Sequence, residues 1–161
     1  MADLIADLFI SADGYARGER TEPFFGLDGP DLQAWIQEQT SRGYRMLVGR
    51  KTYEMFPDMP DAVYSNTLTT TAGAHLLRGD LAAAVDAFKR DSPADIRTIG
   101  SLRLVAGLLR AGLVDRLRLL VFPVTMGDDG REHIELPRLG YTLAASTVLD
   151  GRLVLLDYRP A

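Results

Sequence analysis

The sequence predicts an α/β fold, in which a mixed, mostly parallel sheet has helices on both faces and an antiparallel hairpin at its C-terminal end. Short apolar runs alternate with helical patterns through the first two-thirds of the chain, as they do in strand–helix–strand units. One such unit fills residues 95–127. Two further strand candidates, 143–149 and 152–158, are joined by Asp150-Gly151, which is a strong hairpin signal.

The elements outside the unit 95–127 follow from apolar spacing and turn residues. Leu4 to Ile10 predict an opening strand that ends at the turn Asp13-Gly14. Residues 15–30 carry several glycines, prolines and charges, and they predict a loop over one edge of the sheet. The remaining predicted elements are a helix over 31–42, a strand over 46–48, a helix over 50–56, strands over 62–65 and 74–77, a helix over 80–90 that Asp80 caps, and a loop over 127–130.

The central unit begins with a strand over 96–99, which ends at Gly100-Ser101. Ser101 is placed to cap a helix whose apolar residues recur at helical spacing. Gly112 supplies the left-handed residue that ends this helix. The nearly continuous apolar run 117–122 then predicts a strand that is covered on both faces.

Composition sets limits on function. With 161 residues, of which 47% are hydrophobic, we expect one domain over residues 1–161 that buries its own core. A net charge of −4 argues against a nucleic-acid partner, and the two histidines, His75 and His133, form no metal-binding pattern. No apolar run reaches the roughly 20 residues that span a bilayer, and no signal peptide is expected. The absence of cysteine fits a cytoplasmic protein.

The sharpest motif is Gly49-Arg50-Lys51-Thr52, which follows a buried strand and opens a helix. A glycine, two cations and a hydroxyl group at such a place can hold a pyrophosphate or a ribose phosphate. A solvated basic turn is the competing interpretation, and it is the commoner role of an isolated string of this kind.

Two other strand ends carry groups of the same kind, namely Ser65-Asn66-Thr67 and Gly100-Ser101. Arg103 follows in the first turn of a helix, where a cation opposes the helix dipole unless an anion lies nearby. Turn formation is the alternative role of Ser65, and simple solvent exposure is that of Arg103. Because ligands of open α/β sheets bind at the carboxyl ends of strands, we expect the three turns to meet around one anionic ligand.

Three stretches, in this order, resemble the dihydrofolate reductase fold family: LVGRKTYE, DIRTIGSLRLVAGLL and AGLVDRLRLLVFPVTMG. They are most similar to the branch that contains the reductase half of the riboflavin-biosynthesis deaminase–reductase. SADGYA near the start also resembles the first-strand signature of that branch. The resemblance covers nearly the whole chain, and it is more specific for the fold than for the substrate.

The resemblance implies a nicotinamide dinucleotide cofactor, NADPH, with NADH as the alternative. The residues that match the family's pyrophosphate and 2′-phosphate element are Gly49, Arg50, Lys51 and Thr52. Those that match the stretch beside the adenine ribose phosphate are Ser65, Asn66 and Thr67, with Asn66 where many relatives are basic. Gly100 and Ser101 match the family's paired glycines, which are joined by a cis peptide and touch the pyrophosphate, and Leu102 and Arg103 begin the helix that faces the phosphates.

The resemblance says less about the substrate side. Asp13, Tyr15 and a bound water are the candidate proton donors, because the family geometry would bring them near the nicotinamide. Asp31 lies one residue from the place of the pterin-binding carboxylate of true dihydrofolate reductases. Such a shift turns a side chain by about 100° on a helix, so capping is the alternative role of Asp31. The riboflavin enzymes typically have a lysine where this sequence has Tyr15.

The resulting hypothesis is an NADPH-dependent reductase that transfers hydride to a small heterocyclic or carbonyl substrate, similar to 5-amino-6-(5-phosphoribosylamino)uracil reductase of riboflavin biosynthesis. One alternative is a non-catalytic nucleotide-binding dimer on the same fold. Another is authentic dihydrofolate reductase, which a carboxylate pointing into the pocket from the helix of Trp35 would favour. The apolar run 117–122 and the terminal hairpin are the candidate faces of a homodimer, since relatives of this branch often pair.

Overall fold

The computed structural model describes residues 1–20, 22–99 and 101–161. Within these residues the chain forms four α-helices, α1 Pro30–Ser41, α2 Arg50–Met55, α3 Leu81–Asp91 and α4 Leu102–Arg110. The strands in the same residues are β1 Leu4–Ser11, β2 Tyr15–Gly18, β3 Arg45–Gly49, β4 Ala62–Tyr64, β5 His75–Leu77, β6 Ile96–Ile99, β7 Arg116–Phe122, β8 Gly130–His133, β9 Tyr141–Leu149 and β10 Leu153–Pro160. Short 3-10 turns cover Pro23–Gly26 and Gly127–Asp129.

Eight of these strands form one sheet in the order β5-β4-β3-β6-β1-β7-β10-β9. Strand β1 lies near the centre and pairs in parallel with β6 and β7. Strand β10 is antiparallel to both β7 and β9, so the C-terminal hairpin forms one edge. This arrangement confirms the predicted mixed, mostly parallel sheet.

The two faces of the sheet are covered by different helices. Helices α3 and α4 pack on one face, where Leu4, Ala6 and Leu8 of β1 are buried. Helix α1 packs on the other face through an apolar cluster that contains Leu32 and Phe122. Alternate residues of β1 therefore face two separate cores, as expected for a strand covered on both sides.

The α1 face also contains a buried ionic cluster. The carboxylate of Asp7, which is fully buried, accepts hydrogen bonds from Arg97 at 2.7 Å and from two nitrogens of Arg118 at 2.6 and 2.7 Å. Both guanidinium groups lie near the ring of Trp35, at 5.6 and 5.1 Å from its centroid. The Oε1 atom of Gln39 accepts from Arg118 at 2.8 Å. The cluster joins the three central strands to α1.

Several local predictions are confirmed. The Oδ2 atom of Asp80 accepts from the backbone N–H of Ala83 at 2.9 Å, which is the predicted N-cap of α3. Gly112 has a φ of 69° just beyond the end of α4. Asp150 and Gly151 both have positive φ, at 55° and 64°, as a tight two-residue hairpin turn requires.

The two predicted loops are partly wrong. Residues 15–18 and 130–133 form strands β2 and β8, which pair with each other as a separate antiparallel ribbon. Both strands are four residues long and largely polar, so neither shows the apolar alternation from which strands are predicted. Residues of both ribbon strands also line the cleft at the candidate functional site.

One further expectation is corrected: helix α1 begins at Pro30, with Gly29 at the N-cap position, rather than at Asp31. The apolar run 117–122 lies inside the sheet, where both of its backbone edges are paired, one with β1 and the other with β10. No helix in the described ranges is long and apolar enough to cross a membrane.

Candidate functional site

A cleft of about 1240 Å³ opens at the carboxyl ends of the central strands. Residues of α2, α4, the ribbon β2–β8 and the end of β1 line it. Its ionised side chains comprise four basic and three acidic groups: Arg50, Lys51, Arg103, Arg110, Glu54, Glu132 and Glu135. The lining thus has an excess of one positive charge, which is compatible with an anionic ligand.

In chain order, the first predicted turn is at Gly49–Thr52, the second is at Ser65–Thr67 and the third contains Ser101. The first and the third turn are in contact. Strands β3 and β6 are neighbours in the sheet, so Gly49 at the end of β3 lies beside Ser101 after β6. A Cβ atom on Gly49 would lie 2.5 Å from the Oγ of Ser101, and this is closer than non-bonded atoms approach. A residue with a Cβ atom at position 49 would therefore require the Ser101 hydroxyl group to move out of this contact.

Arg50 connects the first turn to the second. Its Nη1 donates to the Oγ1 of Thr67 at 2.7 Å, and its Nε donates to the carboxylate of Glu54 at 2.7 Å. Strand β4, which precedes Thr67, is the other neighbour of β3. The turns that follow β4, β3 and β6 thus lie side by side at the carboxyl end of these neighbouring parallel strands.

The second turn lies beside the cleft rather than on its lining. The Oγ of Ser65 accepts from the backbone N–H groups of Thr67 and Leu68, both at 3.2 Å, so this side chain shapes the turn. The side chain of Asn66 accepts from the N–H of Gly79 at 2.7 Å and thereby joins two loops. Thr67 is the member of this turn that contacts Arg50.

The third turn differs from expectation at Ser101. This residue has φ 49° and ψ 70°, and its hydroxyl group makes no capping hydrogen bond to α4. The predicted capping role is therefore wrong, because the Oγ faces Gly49 instead. Gly100, and with it the peptide bond that is cis in the family's paired glycines, lies outside the described residues. Leu102 and Arg103 line the cleft, and within the described ranges no carboxylate lies within 4 Å of the Arg103 guanidinium.

Thr52 lines the cleft with Arg50 and Lys51 in the first turns of α2. All four residues of the predicted Gly-Arg-Lys-Thr element therefore face the same cleft. No group of three or more carboxylate and imidazole side chains in the described residues is placed to hold a metal ion.

Asp13 has a structural role. Its carboxylate accepts from the hydroxyl of Ser11 at 2.6 Å and from the backbone N–H groups of Met126 and Gly127 at 3.0 and 2.9 Å. The Ser11 hydrogen bond, followed by those from Gly127 and Met126, lowers the pKa of Asp13 to about 2. A carboxyl group with this pKa is ionised at neutral pH, which argues against Asp13 as the proton donor.

Tyr15 packs within the ribbon. Its ring lies edge-on to the ring of His133, with 5.0 Å between the centroids, and the two residues are paired in the β2–β8 register. A Cβ on Gly130 would lie 2.5 Å from the Tyr15 ring, so the glycine makes room for it. His133 and Ala16 line the cleft at this point.

Asp31 faces the C-terminal hairpin. Its Oδ2 accepts from the backbone N–H of Asp150 at 2.8 Å. The carboxylate of Asp150 in turn accepts from the N–H groups of Asp31 and Leu32, at 2.8 and 3.1 Å, and so caps α1 from a distant part of the chain. No residue of α1 is on the cleft lining. This disfavours authentic dihydrofolate reductase, which required a carboxylate pointing into the pocket from this helix.

Sequence reasoning missed Glu132. Its Oε1 accepts from the Nζ of Lys51 at 2.6 Å, and its Oε2 lies 3.4 Å from the Nε of Arg17. The hydrogen bond from Lys51 is the main reason why the pKa of Glu132 is lowered. A glutamate in a short polar strand gives no sequence signal of its own, and its role follows only from the pairing of β8 with β2.

Comparisons with known proteins agree with the fold. The model of the RibD C-terminal domain family matches residues 2–155, whereas the curated proteins contain no match. A protein attributed to riboflavin biosynthesis from Shewanella sp. PV-4 superimposes with a TM-score of 0.81 at 22% identity, covering 100% of this chain and 99% of its own.

Two more solved structures share the fold. RibD from Acinetobacter baumannii superimposes with a TM-score of 0.74 at 16% identity, and the alignment covers 100% of this chain but 58% of the RibD chain. A pyrimidine reductase-like protein from Corynebacterium diphtheriae has a TM-score of 0.70 at 16% identity, with 99% and 92% of the two chains covered. At these identities the structural matches establish the fold alone.

Proposed function

The chain belongs to the RibD C-terminal domain family, an oxidoreductase-related family of riboflavin biosynthesis, and from that premise we propose that it is an NADPH-dependent reductase. Its substrate is a small heterocyclic or carbonyl compound, and 5-amino-6-(5-phosphoribosylamino)uracil is the first compound to test. NADH is the alternative cofactor. The single observation that carries the proposal is the meeting of the turns after β4, β3 and β6 beside one basic cleft.

The residues of the cleft fit a dinucleotide. Gly49 has no side chain and the Ser101 hydroxyl group faces it, so backbone groups and one hydroxyl group are available to phosphates where the two turns meet. Arg50, Lys51 and Arg103 supply positive charge around this point. The volume of about 1240 Å³ exceeds the roughly 300–1000 Å³ of typical sites for drug-sized ligands. It suits a dinucleotide together with an acceptor.

When bound, the nicotinamide cofactor supplies the hydride. The chain contributes binding of the phosphates through Arg50, Lys51, Thr52 and Arg103, and an apolar floor at Leu8 and Phe9 that excludes water. The reduced acceptor also takes up a proton. Because Asp13 is ionised at neutral pH, Tyr15 and a bound water are the remaining candidate donors.

Titration with NADPH tests the proposal directly. We expect the fluorescence of NADPH to change on binding, and we expect NADPH to be oxidised when the proposed uracil compound or another heterocyclic or carbonyl acceptor is added. Binding without oxidation, over a panel of such acceptors, would favour the non-catalytic nucleotide-binding protein. Absence of binding would contradict both functions.

We further propose a homodimer through the C-terminal hairpin. Strand β9 forms one edge of the sheet, and its residues from 142 to 148 are all exposed. Val148 is 62% exposed and Leu143 is 51% exposed. A long exposed edge strand is a template for pairing with another strand, and a second copy of the chain would satisfy it.

The molecular mass measured by light scattering after size-exclusion chromatography tests the proposed dimer. We expect a mass of twice 17.7 kDa for the natural chain, and a shift toward the monomer for Val148→Lys, because a charged side chain on an edge strand opposes pairing with another strand. Val148→Thr, which keeps the β-branched shape, is the matched control and should remain dimeric. A monomeric natural chain would refute the proposal.

A further inference from the structure

The ion pair of Lys51 with Glu132 spans the candidate cleft. Lys51 lies in α2, and Glu132 lies in the ribbon strand β8, 81 positions later in the chain. Their charged atoms are 2.6 Å apart, and both residues line the cleft. The side chain of Lys51 is 74% exposed, so without this contact its ammonium group would be free to meet a ligand.

Glu132 is held in this position by the ribbon. Its neighbours in β8, Arg131 and His133, are paired with Arg17 and Tyr15 of β2. The φ of Glu132 is 58°, a left-handed conformation that residues with a Cβ atom rarely adopt. Such a conformation persists only where the surrounding structure determines it. The carboxylate is thus presented to the cleft by a constrained backbone rather than by a mobile loop.

The surrounding charges favour the pair. Arg17 approaches the second oxygen of Glu132 at 3.4 Å from the β2 side. Glu135, two residues after the end of β8, is another acidic residue that lines the cleft. In the described ranges no basic group lies within 4 Å of its carboxylate. Glu132 is therefore the carboxylate that directly neutralises Lys51.

We propose that Glu132 is an internal competitor for Lys51, which an anionic ligand must displace before its phosphate can bind that residue. The inference rests on the proposed function in so far as the ligand is a dinucleotide. Without a ligand, the carboxylate of Glu132 forms the ion pair with Lys51. When the ligand binds, its phosphate takes the place of this carboxylate. Because the apparent affinity is the intrinsic affinity multiplied by the fraction of protein in which Lys51 is free, Glu132 lowers the affinity of the site.

The size of the effect follows from the exposure of the pair. Exposed ion pairs contribute little to stability, and their loss corresponds to about a two- to fivefold change in an equilibrium constant. We therefore expect Glu132→Gln to lower the dissociation constant of NADP⁺ about two- to fivefold. Glutamine keeps the length of the side chain and the backbone conformation, so the change isolates the charge.

Equilibrium titrations with NADP⁺ and with inorganic pyrophosphate test the inference in the natural chain and four variants: Glu132→Gln, Glu135→Gln, Lys51→Gln and the double variant Lys51→Gln/Glu132→Gln. Glu135→Gln removes the same charge from the same cleft without touching Lys51, and it should change the dissociation constant less than Glu132→Gln does. In a background of Lys51→Gln, the gain from Glu132→Gln should vanish, because the competition acts through Lys51.

Three outcomes would overturn the inference: an unchanged or weaker affinity in Glu132→Gln, an equal gain in Glu135→Gln, or a gain that persists without Lys51. Thermal unfolding of each variant checks that the fold is retained. If pyrophosphate binds more tightly to Glu132→Gln while NADP⁺ binds to no variant, the proposed function fails and the competition stands. If neither probe binds the natural chain or any variant, both are wrong.

Discussion

Replacing Asp7 with asparagine is expected to lower the free energy of unfolding by about 3–5 kcal/mol. Asp7 is fully buried, and it is the one carboxylate that pairs with both Arg97 and Arg118 in the described structure. Each of those arginines is 4% exposed. The neutral amide would leave two buried guanidinium groups facing each other without a counter-ion, and that is the costly case for a buried charge.

Unfolding by urea, followed by a spectroscopic signal of Trp35, measures this change, because the single tryptophan lies against both arginines. Glu38→Gln is the control. It also removes a carboxylate from an arginine, Arg42, but both side chains of that pair are more than half exposed. We expect the control to lose less than about 1 kcal/mol. An equal decrease in the free energy of unfolding in both variants would show that the burial of Asp7 does not determine the loss of stability.

The buried cluster matters for the cleft because it joins the strands whose ends form it. Asp7, Arg97 and Arg118 lie in β1, β6 and β7, and the carboxyl ends of β1 and β6 border the cleft. Nothing in the local sequence of β1 distinguishes Asp7 from a surface residue of a half-exposed strand. Its partners are 90 and 111 residues away, so only the assembled sheet identifies it.

The features that the sequence predicted are those that depend on neighbours along the chain. Asp80 caps α3 through a residue three positions later, and Asp150-Gly151 makes its turn by its own backbone preference. The apolar spacing of α3 and α4 likewise reflects which side of one helix is buried. Such signals are contained in a few consecutive residues, and they determine the order of the elements.

The features that were missed depend on residues far apart in the chain. Asp150 caps α1 across about 119 positions, and Asp13 binds the N–H of Gly127 across 114. The same holds for the β2–β8 ribbon and for the contact of Lys51 with Glu132. The meeting of the three turns is a non-local feature that was predicted, because a general rule brings the carboxyl ends of neighbouring parallel strands together.

Replacing Arg50 with alanine is expected to weaken the binding of NADPH about 10- to 100-fold, because a hydrogen bond between charged groups contributes about 1.5–3 kcal/mol. In the structure the Nε and Nη1 atoms of Arg50 are engaged by Glu54 and Thr67, and these contacts orient the guanidinium at the junction of two turns. Its side chain is 48% exposed, so it remains accessible to a phosphate. NADH lacks the 2′-phosphate, and its binding should weaken by less than about fivefold.

Parallel fluorescence titrations with NADPH and NADH measure the difference, and Arg42→Ala is a closely matched control. Arg42 also forms an ion pair with a glutamate four positions away on a helix, at 2.6 Å, and its side chain is 51% exposed, but it lies away from the cleft. The control should leave both affinities unchanged. If Arg50→Ala weakens both cofactors equally, then Arg50 contacts the pyrophosphate or the ribose that the two share. In that case the assignment of Arg50 to the 2′-phosphate is wrong, although the cleft would still be the dinucleotide site.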